Sequence, residues 1–313
     1  MQYRTIGKTD IQVSSVALGT WAIGGRNWGA VNDQDSIAAI HKALDEGITL
    51  IDTAPVYGHG HAEEVVGKAL KGRRRKAVIA TKCGLLIDQA NKRSLAPADI
   101  RTEFEASCRR MKTDTIDVYF CHWPDTQGTP IEETVGELTK MRQEGKIRCF
   151  GLSNHGPDLV KRALAAGPLA CLQEHYSLVK RDVEKELLPL CGEFSLGLFA
   201  YGPLGGGILT GKYTEKPDFS GKDVRQFFYP FYKEPLWSRT QALLAVIKQA
   251  AEARKVSPAE VAIAWIMKRP QVSCALVGAR NPAQVAANAP AAELSLTDGE
   301  MERLTAASDA IVG

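Results

Sequence analysis

The chain alternates short apolar segments with amphipathic ones, and this pattern repeats eight times between residues 15 and 288. Short apolar segments bounded by turn residues are typical of buried parallel strands, whereas apolar residues at helical spacing indicate helices. We predict strands at residues 15–19, 50–52, 77–81, 116–121, 148–152, 170–172, 197–200 and 272–277. We predict helices at residues 33–46, 62–70, 97–111, 131–144, 157–166, 183–193, 236–254, 257–269, 282–288 and 297–311.

This alternation restricts the fold to very few architectures. Strand–helix units joined by right-handed crossovers give a parallel sheet, and eight units in 313 residues favour a closed barrel over an open sheet. We therefore predict an α/β fold, a (β/α)8 TIM barrel formed by one domain over residues 1–313. An N-terminal β-hairpin is expected at residues 2–14, and extra helices are expected near the C-terminus.

Composition and charge argue against several classes of protein. Hydrophobic residues make up 44% of the chain, and a net charge of +3 is too small to indicate binding to nucleic acid or to a membrane surface. No segment approaches the roughly 18 apolar residues of a membrane span. Seven cysteines without paired spacing, and a start without an apolar leader, favour a cytoplasmic location.

Polar side chains stand at or just beyond the carboxyl ends of six predicted strands. They are Asp52, Lys82, His122, Asn154, Gln173 and Tyr201. Each residue alone also has a purely structural interpretation. Asp52 could cap the loop that follows it, Lys82 could be a surface lysine, and His122 could be a core histidine whose ring nitrogens are hydrogen-bonded. In a parallel barrel, however, these ends surround one opening, which is where active sites are built. Their coincidence favours a catalytic site.

The residue types at this opening suit the reduction of a carbonyl group. Hydride addition to a carbonyl carbon produces an alkoxide, and Tyr57, in the loop after Asp52, can supply its proton, although it could also be a packed loop aromatic. The ordinary pKa of a phenol is about 10, so we expect Lys82 to lower it and Asp52 to keep Lys82 charged. A neutral His122 can donate a hydrogen bond to the carbonyl oxygen.

The hydride requires a donor, and the chain lacks the Gly-x-Gly-x-x-Gly motif of a Rossmann site. Tyr201 instead precedes a Gly-rich segment whose backbone could approach a pyrophosphate, with a flexible connector as an equal alternative. Ser153, Asn154 and Gln173 offer hydroxyl and amide groups that suit a carboxamide. The start of the helix near Arg280 provides an anion site.

Other segments of the predicted opening indicate a substrate pocket. Trp21, Trp28 and Trp123 lie in loops on the same side of the barrel and favour an aromatic, largely apolar pocket. The loop at residues 202–235 carries an aromatic run at 227–232, which fits a lid and an interface patch equally. His59 and His61 have no third ligand near them in sequence, so we predict no metal site.

Several motifs, taken in order, resemble the aldo-keto reductase family. They are DTAPVYG at residues 52–58, EEVVGKAL at 63–70, ATK at 80–82, CHWP at 121–124, GLSN at 151–154, QEHYS at 173–177 and AYGPL at 200–204. The resemblance covers nearly the whole chain. It is strongest to the bacterial general-stress and inositol-operon branches, which are related to the potassium channel β-subunits.

The resemblance implies a site and a reaction. The implied catalytic residues are Asp52, Tyr57, Lys82 and His122, and the implied cofactor is NADPH/NADP+. The implied cofactor contacts are Thr20, Trp21, Ser153, Asn154, Gln173, Tyr201, Gly202, Pro203, Leu204, Gly206, Gly278, Arg280, Gln284 and Asn288. The expected substrate is a small aldehyde or ketone, and the alternative is a regulatory NADP(H)-binding protein with incidental turnover.

One position pair departs from the family's usual pattern. The block that holds the 2′-phosphate of NADPH usually contains a lysine and an arginine, whereas this chain has Gly278 and Gln284 at the matching places. Recognition of the phosphate is therefore expected to depend mainly on Arg280.

Overall fold

Eight parallel strands close into a barrel in the computed structural model, which describes residues 1–25, 28, 29, 31–219 and 223–312. Two further strands, β1 (Tyr3–Thr5) and β2 (Gln12–Ser14), precede the barrel. The barrel strands are β3 (Val16–Gly19), β4 (Leu50–Asp52), β5 (Val78–Cys83), β6 (Ile116–Cys121), β7 (Ile147–Ser153), β8 (Cys171–His175), β9 (Gly197–Tyr201) and β10 (Val272–Gly278). Strands β3 to β10 follow one another around the barrel, and β10 pairs with β3 to close it. The antiparallel pair β1–β2 is the predicted hairpin. The predicted (β/α)8 fold is confirmed.

Helices surround this barrel. They are α1 (Asp33–Asp45), α2 (His61–Ala69), α3 (Pro97–Met111), α4 (Ile131–Gln143), α5 (Pro157–Ala166), α6 (Leu187–Phe194), α7 (Arg225–Phe228), α8 (Leu236–Arg254), α9 (Pro258–Met267), α10 (Pro282–Asn288) and α11 (Asp298–Val312). Short 3-10 helices occur at Trp21–Gly24, Arg74–Lys76, Ile87–Gln89, Asp182–Glu184, Gly205–Thr210, Pro230–Tyr232 and Ala289–Ala292. Within the described ranges, no helix is long and apolar enough to cross a membrane.

The helix predicted at residues 183–193 is shorter than expected. A 3-10 helix covers Asp182–Glu184, and α6 begins only at Leu187. Pro189 explains the difference, because proline lacks an N–H group and its ring clashes with the carbonyl four residues earlier in a continuous helix. Starting at Leu187 places Pro189 in the first turn, where no N–H is needed.

The hairpin closes the end of the barrel opposite the predicted site. Ile6, Ile11 and Val13 belong to the same buried cluster as the apolar side chains inside the barrel, including Phe120. The Arg4 guanidinium donates hydrogen bonds to carbonyl oxygens at the start of β10 and the end of α9, including that of Val272 at 2.6 Å. The hairpin thus covers this end of the barrel and leaves the carboxyl ends of the strands open.

Candidate active site

Asp52 and Lys82 lie inside the barrel as a consequence of strand alternation. Leu50 on β4 and Ala80 on β5 face the interior, so the residues two positions further along each strand face it too. Lys82 is 0% and Asp52 3% exposed. The Lys82 ammonium donates to both carboxylate oxygens of Asp52, at 2.9 and 2.8 Å, and to the carbonyl oxygen of Thr53 at 2.8 Å.

Tyr57 reaches this ion pair from the loop after β4. The Lys82 ammonium donates to the Tyr57 hydroxyl at 3.3 Å and lies 4.9 Å from the centroid of its ring. The loop can turn back because Gly58 has a φ of 67° and its backbone packs directly on that of Gly24. An added Cβ at Gly58 would lie 2.3 Å from the Gly24 oxygen, so this approach requires glycine.

The net direction of the Tyr57 pKa is opposite to the lowering that was expected from Lys82. Burial, and next the charge of Asp52, raise the pKa of Tyr57 well above its ordinary value. The charge of Lys82 does not reverse this, because Asp52 binds the ammonium with both oxygens while the phenol oxygen is further away. The phenol therefore keeps its proton at neutral pH, which is the form that a proton donor needs.

His122 follows β6 directly and stands beside Tyr57. The two ring centroids are 6.1 Å apart in an edge-to-face arrangement. Burial lowers the pKa of His122 well below its ordinary value, and the positive charges of Lys82 and Arg93 add to the effect. The imidazole is therefore neutral at neutral pH, as expected from the sequence.

Three of the predicted cofactor contacts join this group through hydrogen bonds. Gln173 donates from Nε2 to Asp52 Oδ1 at 2.8 Å. The Asn154 side chain donates to the carbonyl oxygen of His122 at 2.9 Å and accepts from the Tyr201 hydroxyl at 2.8 Å. Asn154 has a φ of 63°, a region that asparagine tolerates better than most residues. One group of hydrogen bonds thus connects the ends of β4, β5 and β8, and a second group connects the ends of β6, β7 and β9.

Other predicted cofactor contacts, at Thr20, Ser153 and Tyr201, are less accessible than expected. Thr20 is fully buried and donates to the carbonyl oxygen of Asp52 at 2.9 Å, and the hydroxyl of Ser153 accepts from Asn154 Nδ2 at 3.0 Å. The ring of Tyr201 stacks on His175 at a centroid distance of 5.1 Å, so one of its faces is covered.

The Gly-rich segment after β9 is a shaped structure rather than a flexible connector. It continues through buried Pro203 and half-buried Leu204 into a 3-10 helix. Gly202 and Gly206 have φ values of 65° and 71°, and a Cβ on Gly206 would lie 2.7 Å from the Tyr229 ring. These glycines are required by the segment's own backbone and packing. Its approach to a pyrophosphate stays a prediction.

The predicted anion site lies at the end of β10. The Arg280 guanidinium donates to the carbonyl oxygen of Trp28 at 2.8 Å, and in the described part of the chain no carboxylate pairs with it. The Arg280 backbone N–H donates to Gln284 Oε1 at 2.8 Å, so this amide oxygen is already engaged. Gly278 is exposed, and a Cβ there would meet no atom within 4 Å. Asn288 ends α10. The open space and the unpaired cation fit a phosphate group.

Aromatic rings surround the Tyr57 hydroxyl on the outer side. Trp21 stacks beside Tyr57 at 6.1 Å and meets Trp28 edge to face at 5.2 Å. Trp123 stacks beside His122 at 6.4 Å. Phe228, from the segment after β9, contacts Trp21 at 5.1 Å. The three tryptophans therefore border one region, as the sequence predicts.

The aromatic run of residues 227–232 packs mostly inward. Tyr229, Phe231 and Tyr232 are each 3% exposed, whereas Phe227 is 77% exposed. The run is therefore not an extended exposed patch, and its contact with Trp21 places it beside the pocket. Residues 220–222 of the same loop lie outside the described residues, and a lid role stays a prediction.

Comparison with known proteins agrees with this geometry. The model of the aldo/keto reductase family matches residues 15–309. The chain belongs to the aldo/keto reductase family. Aldo/keto reductases are oxidoreductases, so the family match supports this class of enzyme.

Several relatives are similar over almost their whole length. The chain is 40% identical to aldo-keto reductase YhdN of Bacillus subtilis, over 92% of this chain and 87% of that protein. It is 35% identical to an NADH-specific methylglyoxal reductase of Escherichia coli, over 98% of both.

Two solved structures of aldo/keto reductases are also similar. The glycerol dehydrogenase AKR11B4 from Gluconobacter oxydans superposes with a TM-score of 0.89 at 41% identity, covering 97% of this chain and 94% of that one. An aldo/keto reductase from Klebsiella pneumoniae in complex with NADP and acetate superposes with a TM-score of 0.76 at 30% identity, covering 96% and 92%.

Glu174 is a residue near the site that sequence reasoning missed. Its carboxylate accepts the backbone N–H of Asn154 at 2.9 Å and is only 9% exposed. Burial raises the pKa of Glu174 to about 8, against the opposing hydrogen bonds from Asn154 and His155. Glu174 thus holds the backbone of Asn154 in its left-handed conformation. An acid within a largely buried barrel strand was the available signal.

Glu174→Gln should change how the stability of this aldo/keto reductase depends on pH. Between pH 4.5 and about 8, native Glu174 keeps a proton that the unfolded chain releases. The native state then binds more protons, so wild-type stability falls relative to the variant by up to about 1.4 kcal/mol per pH unit. Urea unfolding at several pH values measures the difference, with exposed Glu302→Gln on α11 as the matched control. A difference that stays constant with pH contradicts the assignment.

Proposed function

We propose that this aldo/keto reductase reduces aldehydes and ketones to alcohols with NADPH, and that Tyr57 is the proton donor. The observation that carries the proposal is the buried Asp52–Lys82 ion pair, which contacts the Tyr57 hydroxyl. A buried ion pair costs desolvation energy, and here its ammonium also contacts the hydroxyl of a phenol at the mouth of the barrel. Family membership supports the reaction type.

Each of the four proposed catalytic residues, Asp52, Tyr57, Lys82 and His122, has one role in this proposal. The bound nicotinamide cofactor supplies the hydride. The neutral imidazole of His122 donates a hydrogen bond that orients the carbonyl oxygen of the substrate. Tyr57 then transfers its proton to the oxygen as negative charge develops there. Lys82 stabilises the phenolate that remains, and Asp52 keeps Lys82 charged and in place.

The residues that would hold the cofactor lie along one side of the opening. In this proposal Gln173 and Asn154 bind the carboxamide and Tyr201 contacts the nicotinamide ring. Arg280 and the start of α10 bind the 2′-phosphate. The Klebsiella relative was solved with NADP, whereas the Escherichia coli relative is named NADH-specific. We base the preference for NADPH on the guanidinium of Arg280, which pairs with no carboxylate among the described residues.

We also propose the setting in which the enzyme works. Its substrate is a small carbonyl compound. The contacts between the hairpin and the barrel support one domain over residues 1–313. All seven cysteines are free thiols, which fits the reducing conditions of the cytoplasm.

Tyr57→Phe should abolish most of the activity without weakening the cofactor complex. The substitution removes only the hydroxyl, and a positioned general acid contributes roughly 10²- to 10⁴-fold to kcat. Steady-state oxidation of NADPH with an aldehyde measures kcat, and fluorescence titration measures the Kd for NADPH. Tyr119→Phe is the matched control, because the Tyr119 hydroxyl lies outside the site and contacts Ile100. Retention of most of the activity in Tyr57→Phe would contradict the assignment of Tyr57 as the proton donor.

Arg280→Ala should weaken NADPH binding by at least about tenfold and leave NADH binding nearly unchanged. A charge-assisted hydrogen bond contributes about 1.5–3 kcal/mol, and only NADPH carries the phosphate that receives it. Dissociation constants of both cofactors for wild type and variant measure the effect. Equal weakening of both would mean that Arg280 acts only through its hydrogen bond to Trp28.

A further inference from the structure

Arg93 forms the outer layer of a stack that ends at His122. It lies in the segment between β5 and α3, and its guanidinium carbon is 4.8 Å from the centroid of the Trp123 ring. Trp123 in turn stacks beside His122, with the ring planes 25° apart and the centroids separated by 6.4 Å. A guanidinium, an indole and an imidazole therefore follow one another from the rim of the pocket to the site.

The backbone of Arg93 is fixed at this position. Its carbonyl oxygen accepts hydrogen bonds from the backbone N–H and the hydroxyl of Thr126, at 3.3 and 3.2 Å. The following residues, Ser94 and Leu95, are buried, and the Leu95 N–H donates to Asp125 Oδ2 at 2.7 Å. These bonds join the loop that carries Arg93 to the loop that carries Trp123, so the stack is built on two connected segments.

The charge of Arg93 has no partner among the residues that the structure describes. Its side chain forms no ion pair and donates no hydrogen bond there, although the side chain is exposed. Asp125, the acid on the loop of Trp123, uses its oxygens to accept backbone N–H groups of that loop and of Leu95. Lys82, in contrast, is neutralised by Asp52. Arg93 therefore contributes an uncompensated positive charge at the rim.

We propose that Arg93 binds a carboxylate of the substrate, so that the enzyme prefers aldehydes and ketones that also carry a carboxylate. This inference rests on the proposed function. One face of the guanidinium contacts Trp123, and the N–H edges of the guanidinium remain available. Two parallel hydrogen bonds from such an edge match the geometry of a carboxylate. The carbonyl would lie at His122 and the carboxylate at Arg93, on opposite ends of the stack.

The geometry limits the size of such a substrate. The two measured separations, 4.8 Å and 6.4 Å, together set the greatest distance between the guanidinium and the imidazole. A carboxylate attached across an aromatic ring from the aldehyde fits within this distance. Carboxybenzaldehydes are therefore suitable probes.

The test compares 3- and 4-carboxybenzaldehyde with their methyl esters in wild type and Arg93→Gln. The readout is the ratio of kcat/KM for each acid to kcat/KM for its ester, which cancels general damage to the site. We expect Arg93→Gln to lower the ratio by about tenfold for at least one acid, a size typical of one charge-assisted contact at a solvent-exposed position. Arg93→Lys should retain part of the ratio, and added salt should lower it in wild type.

Lys92→Gln is the matched control, because it removes the same charge from the neighbouring exposed position. It should change the ratio by less than about twofold. An unchanged ratio in Arg93→Gln for both acids, or an equal loss in Lys92→Gln, overturns the role of Arg93. Failure of wild type to reduce any of the four compounds contradicts the proposed function instead, so the two ideas fail separately.

Discussion

The ion pair between Lys82 and Asp52 is the interaction on which the site depends. Both side chains are withdrawn from water inside a closed barrel, where loss of one partner would leave a buried charge at a cost of about 3–5 kcal/mol. Further hydrogen bonds stabilise the pair, because Lys82 also donates to the Thr53 carbonyl and Gln173 donates to Asp52. Tyr57 contacts Lys82 of this pair, and Gln173 connects Asp52 to the end of β8.

The fold was predictable because its signals are local and repeat. Alternating short apolar segments and helical periodicity specify a parallel barrel before any long-range contact is considered. The errors occur where one residue overrides the pattern or where strand pairing extends an element. Pro189 delays the start of α6, and pairing with β9 extends β8 to His175, beyond the predicted end at residue 172.

The site was predictable in its residue types but not in its electrostatics. Acid, lysine, histidine and amides at strand ends could be placed at one opening from topology alone. The direction in which the Tyr57 pKa shifts could not be predicted, because it depends on how deeply the ring is buried and on how completely Asp52 neutralises Lys82. Glu174 was missed for the same reason, since its pKa and its bond to Asn154 arise only from packing.

Single-turnover reduction of an aldehyde by Lys82→Met tests the central claim most directly. The enzyme–NADPH complex is used in excess over the aldehyde, so product release does not mask the proton transfer. The rate is followed from about pH 6 to about pH 11, a range that includes the ordinary pKa of a phenol at about 10. The account predicts a rate lower by about 100-fold or more and a pH limb displaced upward, because phenolate loses its cation. An unchanged rate with an unchanged limb, in a variant that binds NADPH normally, would contradict it.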